Sequence, residues 1–192
     1  LKGDEDMLDA FTWRARRNPS GHGVINYITN HDGFTLLDLV SYDGKHNEEN
    51  EEDNRDGTNY NYSWNCGAEG PSRKRAVREL RVKQVKNAFS FLLLSQGTPY
   101  IFSGDELMHT KKGNNNSYCQ DNGTAWINWN LTKDAREVRD YVKKLIALRR
   151  EHPILHRPEE LRNMDYMACG YPDLSYHGKK AWYGEFEPFS RQ

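Results

Sequence analysis

The stretch VINYITNHDG, residues 24–33, decides the fold of this 192-residue chain. Its first six residues are rich in β-branched and aromatic side chains, which favours a strand, and its last four form a polar cluster where the strand should end. A second run, PYIF at residues 99–102, is short and apolar and leads into SGDE at residues 103–106. Such a run is typical of a strand that is buried on both faces. We therefore predict two buried strands, each followed by a polar loop.

Helical periodicity follows each strand. The spacing of apolar residues predicts a short helix over residues 34–40 and longer helices around residues 77–93 and 138–148,. A Gly-x-Pro sequence after the first long helix and a His-Pro sequence after the second supply stop signals. The order strand, loop, helix, strand, loop, helix predicts a parallel α/β sheet or barrel, in which functional residues lie at the carboxyl ends of the strands.

Composition narrows the classes of partner. The chain has 27 Lys plus Arg against 28 Asp plus Glu, a net charge of -1 that gives no reason to expect nucleic acid or an anionic membrane surface,. No stretch approaches the roughly 20 apolar residues that span a bilayer. Cys66, Cys119 and Cys169 lie far apart, which argues against a disulfide framework or a metal knuckle,. The seven histidines show no H-E-x-x-H or similar pairing, so we expect no catalytic metal and no cofactor,. We expect a cytoplasmic protein.

The polar segment 41–71 separates the short helix from the first long one. It is rich in asparagine and also contains aromatic side chains, whereas disordered tracts are normally poor in aromatics. Two interpretations stay open: a binding loop, or a surface loop whose aromatics pack down. Trp126 and Trp129, in the second polar loop, leave a similar choice between a face that stacks on a sugar and a contribution to the core,.

The polar clusters offer catalytic chemistry. Asn30, His31 and Asp32 place an amide, an imidazole and a carboxylate at a strand end, although Asp before Gly is also usual in ordinary turns,. Asp105 and Glu106 follow the second strand. Two carboxylates can hydrolyse a glycosidic bond, so Asp32 and Glu106 could form an acid and base pair. Alternatively, Asp105 or Glu106 caps a turn or pairs with a lysine.

Longer strings resemble a known family. INYITNHDGFTL at residues 25–36 resembles the last of the short catalytic signatures of the alpha-amylase superfamily, in the form found in bacterial glycogen debranching enzymes and isoamylases. Further agreeing strings are HNEEN at 46–50, NRDGTN at 54–59, LSQGTP at 94–99, GDE at 104–106 and GNNNSYCQDN at 113–122. The resemblance covers nearly the whole chain from about residue 23 onward.

The resemblance implies a (β/α)8 barrel of which this chain supplies the carboxyl-terminal part. A complete barrel takes about 250 residues, so residues 1–157 would hold its last two strands and helices. Residues 158–192 would begin the family's β-sandwich domain, consistent with a hairpin pattern over 174–186. Because a cut barrel leaves open strand edges, we also expect the chain to self-associate.

The resemblance also assigns roles to residues. Asp32 would be the catalytic carboxylate that stabilises the transition state, and His31 and Asn30 would bind the substrate. Glu106 and Asp121 would be loop or structural residues. The nucleophile and the proton donor have no match in this sequence, so the chain alone is expected to be inactive.

The implied parent enzyme is a glycoside hydrolase that cleaves α-1,6 branch linkages of glycogen or limit dextrins with retention, its partner being an α-glucan. The alternatives are a fragment of an isoamylase or pullulanase, or a glucan-binding piece without catalysis. A structural remnant that binds no ligand is a further interpretation.

Overall fold

The computed structural model describes residues 4–177. Four α-helices and two β-strands occur there: α1 (Leu8–Arg16), β1 (Ile25–Asn26), α2 (Leu36–Leu39), α3 (Arg75–Leu94), β2 (Thr98–Pro99) and α4 (Lys133–Glu151). The three predicted helices are confirmed as α2, α3 and α4. The sequence analysis missed α1, a nine-residue helix none of whose residues is buried.

The two strands form a parallel sheet, as predicted. Ile25 lies opposite Thr98 and Asn26 opposite Pro99, and the main-chain N–H groups of Thr98 and Tyr100 each donate across the pair at 2.8 Å. The ladder is shorter than the predicted strands 24–29 and 99–103. The prediction that both faces are buried is wrong, since Ile25 is 67% exposed. Within residues 4–177 each strand has a single partner, so one edge of each remains open,.

The core lies where α3, α4 and α2 meet. Val85 and Phe89 of α3 and Val138 and Val142 of α4 are almost fully buried, and Leu36 of α2 packs into the same cluster. Burying side chains of this size stabilises the fold by about 1.5–3 kcal/mol each. This packing fixes both helices against the loops that follow β1 and β2.

Arg149 of α4 donates hydrogen bonds to the main chain at the C-terminus of α3. Its buried guanidinium donates to the main-chain oxygens of Leu93, Ser95 and Gly97 at 2.8, 2.7 and 2.6 Å. Carbonyls at a helix C-terminus lack partners within the helix and favour a nearby cation. Arg149 therefore fixes the point at which the chain leaves α3 and enters β2.

The predicted β domain stays a prediction. Over residues 158–177 the structure contains turns and bends but no strand, and most of the predicted hairpin falls outside the described residues. In the part of the chain that is described, no helix combines the length and the apolar character needed to cross a membrane.

Candidate functional site

The turn that follows β1 presents the predicted site residues to solvent. The N–H of Asp32 donates to Asn30 Oδ1 at 2.8 Å, which closes a local side-chain turn,. His31 and Asp32 are exposed and Asn30 is half-buried. The Asp32 carboxylate makes no hydrogen bond or ion pair with any other residue of 4–177. It therefore remains free to interact with a ligand.

Asp32 lies along a shallow groove of about 150 Å³. Asn30 and Gly33 line the groove on the side of this turn, and Tyr60 and Asn61 line it from the loop at residues 58–62. The long polar segment thus approaches the strand-end residues, as its interpretation as a binding loop requires.

Asn115 holds the two sides of this groove together. Its carbonyl oxygen accepts the N–H of Gly33 at 3.1 Å, and its side-chain amide donates to Thr58 O and Asn61 Oδ1, both at 2.8 Å. Asn115 is only 1% exposed, and Asn47 closes the network by exchanging hydrogen bonds with it at 2.9 and 3.0 Å. A buried polar network of this kind is rigid when its members are satisfied.

Asp56 anchors the same network. Its Oδ2 accepts from the amides of Asn50, Asn116 and Asn47 at 2.8, 3.0 and 3.1 Å. Burial opposes the charge of Asp56, but these hydrogen bonds outweigh it and hold the pKa of Asp56 below its ordinary value,. Asn47, Asn50, Asn54 and Asn61 of the polar segment therefore form hydrogen bonds with other asparagines. The aromatic side chains of Tyr60 and Tyr62 are exposed.

Asp105, rather than Glu106, ties the second strand-end loop to the first. Asp105 Oδ1 accepts the N–H of Leu36 at 2.8 Å, and Oδ2 accepts the hydroxyl of Thr29. Asp105 is 2% exposed, and burial raises its pKa to about 6. Glu106 only accepts the N–H of Gly104, at 3.1 Å, and does not line the groove of Asp32.

Asp38 is a buried carboxylate that the sequence analysis did not single out. Its Oδ2 accepts the N–H of Lys111 at 2.7 Å and its Oδ1 accepts the hydroxyl of Thr110 at 2.5 Å. Burial raises the pKa of Asp38, and the hydrogen bonds it accepts oppose that rise. A signal was present, because Asp38 falls four residues after Phe34, on the apolar face of the predicted helix.

The second polar loop carries the remaining predicted residues. Asp121 Oδ1 accepts the indole N–H of Trp126 at 3.0 Å, a local contact consistent with a loop residue. Trp126 and Trp129 are exposed, so their interpretation as core residues is wrong. Within residues 4–177, no group of three or more histidine, cysteine or acidic side chains is placed to hold a metal ion.

The proteins of similar sequence include glycogen debranching enzymes, an isoamylase and a glycogen operon protein. No family model matches the chain. A glycogen operon protein GlgX homolog from Mycobacterium tuberculosis is 46% identical over 157 residues, which are 82% of this chain and 21% of the relative. Glycogen debranching enzyme from Erwinia tasmaniensis is 49% identical over 133 residues, 69% of this chain and 20% of the relative. Chloroplastic isoamylase 1 from Arabidopsis thaliana is 52% identical over 111 residues, 58% of this chain and 14% of the relative.

Solved structures with a similar fold include pullulanases. The one from Anoxybacillus sp. LM18-11 has a TM-score of 0.54 at 26% identity, covering 81% of this chain and 19% of that protein. A mutant pullulanase from Paenibacillus barengoltzii complexed with maltotetraose has a TM-score of 0.58 at 23% identity, covering 82% of this chain and 22% of that protein. The chain spans about a fifth of the length of the curated relatives that it matches over most of its own length.

Proposed function

Because the chain is homologous to a segment of bacterial glycogen debranching enzymes and plant isoamylases, we propose that it forms part of a glycoside hydrolase of the alpha-amylase family. The substrate of that enzyme is an α-glucan, glycogen or a limit dextrin, and the reaction is hydrolysis of its α-1,6 branch linkages with retention. The maltotetraose bound to the Paenibacillus barengoltzii pullulanase supports a substrate of this class.

In this proposal β1 and β2 are the last two strands of a (β/α)8 barrel contained in residues 1–157. Three features support it: the strands are parallel neighbours, α3 connects them, and both polar loops follow their carboxyl ends,. Residues 158–192 begin a separate β domain in the same proposal. The similarity to pullulanase structures supports the α/β part of this assignment.

The observation that carries the proposal is the exposed, unpaired carboxylate of Asp32 beside a groove. In the proposed reaction Asp32 stabilises the positive charge that develops on the sugar ring, because a fixed carboxylate aimed at developing charge lowers the barrier. His31 and Asn30 bind sugar hydroxyls. We assign neither the nucleophile nor the proton donor to a residue of this chain, so the isolated chain should not turn over substrate.

The test compares variants of the full-length enzyme that carries this chain. Asp32→Asn should lower kcat on glycogen limit dextrin by about 100-fold or more, since a charge that acts in the transition state is lost. Asp121→Asn is the matched control, because Asp121 is an exposed carboxylate outside the groove, and its kcat should stay close to wild type. An unchanged kcat in Asp32→Asn removes Asp32 from the site.

A second arm tests the isolated chain. It should release no reducing sugar from glycogen. Turnover by the chain that disappears in Asp32→Asn would contradict the proposal and favour a pair of Asp32 and Glu106 as acid and base.

We place this function in the cytoplasm. Cys66, Cys119 and Cys169 are all free thiols, and Cys119 and Cys169 are exposed. Unpaired exposed thiols are typical of proteins kept in a reducing compartment.

A further inference from the structure

We propose that Tyr60 is a sugar-binding residue whose ring stacks on a glucose unit of an α-glucan beside Asp32. Tyr60 lines the same groove as Asp32 and is 69% exposed. The inference rests on the proposed function and adds to it a residue on the opposite side of the groove from the strand-end turn.

Within residues 4–177, little packing covers the ring of Tyr60. Its ring meets that of Tyr62 edge-on, with the centroids 4.3 Å apart and the planes at 71°, and Tyr62 is itself exposed. Aromatic rings dominate the energetics of binding surfaces because they bury a large area with few rotatable bonds. The exposed rings of these two adjacent tyrosines are therefore accessible to a ligand in the groove.

The loop that carries Tyr60 is fixed relative to Asp32. The N–H of Tyr60 donates to Thr58 Oγ1 at 3.1 Å, and Asn115 holds Thr58 O and Asn61 Oδ1 from below. The same Asn115 accepts the N–H of Gly33, which directly follows Asp32. Both sides of the groove are thus set by one buried residue, which lowers the cost of ordering them when a ligand binds.

The chemistry of the groove matches a neutral sugar. A pyranose ring has an apolar C–H face that packs on an aromatic ring and a rim of hydroxyls that require hydrogen-bonding partners. Tyr60 offers the ring, while the carboxylate of Asp32 and the amides of Asn30 and Asn61 line the same groove. One glucose unit can therefore stack on Tyr60 and direct its hydroxyls to Asp32.

The experiment titrates the 192-residue chain with maltotetraose and follows saturation-transfer and amide NMR signals. Tyr60→Ala should weaken binding by about tenfold or more, because the stacking face is lost, whereas Tyr60→Phe should stay within about threefold of wild type. Tyr118→Ala is the matched control. Tyr118 is also exposed, its hydroxyl donates to Glu52 at 2.7 Å, and it does not line the groove.

The outcomes separate this inference from the proposed function. Equal affinity of Tyr60→Ala and wild type, or equal losses in Tyr60→Ala and Tyr118→Ala, would overturn the role of Tyr60. The same holds if the chain binds no maltotetraose at millimolar concentration while the full-length enzyme hydrolyses glycogen. If binding depends on Tyr60 but the full-length enzyme debranches nothing, the proposed function fails and the binding site stands. An unaltered amide spectrum outside residues 58–62 confirms that Tyr60→Ala remains folded.

Discussion

Asp105 is a buried carboxylate whose protonation should be visible in the stability of the protein. Burial raises its pKa from the ordinary 3.8 to about 6, and the nearby charges of Glu106 and Asp38 act in the same direction. The hydrogen bonds from Leu36 N–H and the Thr29 hydroxyl oppose the rise without cancelling it. In the unfolded chain the carboxyl returns to its ordinary pKa, so the folded state holds the proton more firmly.

The sign of the pH dependence follows from these two values. Because the folded pKa is the higher one, the contribution of Asp105 is fully present below about pH 3.8 and is lost as the pH rises through about 6,. One pKa unit corresponds to about 1.4 kcal/mol, so the rise from 3.8 to about 6 amounts to about 3 kcal/mol of unfolding free energy,. That is a large share of the 5–15 kcal/mol by which domains are typically stable.

Asp105→Asn removes the ionisation while keeping the shape of the side chain. Its amide oxygen can still accept the N–H of Leu36, and its NH2 group can donate to Thr29 Oγ1 once that hydroxyl turns. We expect the variant to be more stable than wild type by up to about 3 kcal/mol at neutral pH and nearly equal to it near pH 4.

The assay is urea unfolding followed by far-ultraviolet circular dichroism at several pH values from about 4 to about 7.5. Asp121→Asn is the control and should retain the pH dependence, because it leaves in place Asp105 and the two charges, Glu106 and Asp38, that act on its pKa. Asp38, whose pKa burial also raises, adds a slope of the same sign to wild type and to Asp105→Asn. The difference between these two proteins therefore reports the ionisation of Asp105 together with its coupling to Asp38,. If Asp105→Asn and wild type lose stability in parallel as the pH rises, Asp105 is not the titrating group and the argument fails.

Three further predictions concern the loops and the open sheet. Gly57 has φ +68°, and a Cβ there would overlap Asn115 Oδ1, so Gly57→Ala should lower the free energy of unfolding in urea by about 1–3 kcal/mol,. Gly67 has φ +89° and open space around its Cβ, so Gly67→Ala should lower it by about 1 kcal/mol,. Equal losses in the two variants would exclude the overlap. Arg149→Ala leaves the carbonyls at the end of α3 unpaired and should lower the free energy of unfolding by about 2–4 kcal/mol, and Arg149→Lys should recover only part of that loss. If Arg149→Ala is as stable as wild type, Arg149 does not have this role. The isolated chain should self-associate in light scattering across a dilution series, and Ile25→Lys, which charges the exposed apolar strand, should reduce it; a monodisperse wild-type monomer would contradict the expectation.

Much of the fold was accessible from the sequence because its signals are local. α3 and α4 repeat apolar residues at helical spacing over 20 and 19 residues, so their existence follows from periodicity,. The ends of the two strands were harder to predict. A β-branched run shows where a strand can form, but its length and burial depend on the partners that pair with it, and within residues 4–177 β1 meets only β2,.

The candidate site was predictable only at its centre. Asn30, His31 and Asp32 stand out because they follow a strand, which is a local signal. The role of Asn115 could not be inferred, since it depends on contacts with Gly33 and Asn61 that lie 82 and 54 positions away in the sequence. Composition alone could not show that the asparagines of the polar segment bind one another.

Hydrogen bonds hold the two strand-end loops together. Asp105 binds Leu36 and Thr29 on either side of the Asn30–Gly33 turn, and Asn115 binds Gly33 within it. The turn is thus held from both ends by residues of the second loop, although neither Asp105 nor Asn115 lines the groove. Catalytic groups must be held within a fraction of an ångström of their working position, and supporting hydrogen bonds supply that precision. In the proposed function, the buried polar residues of the second loop would therefore hold the turn that carries the catalytic carboxylate of Asp32 in position.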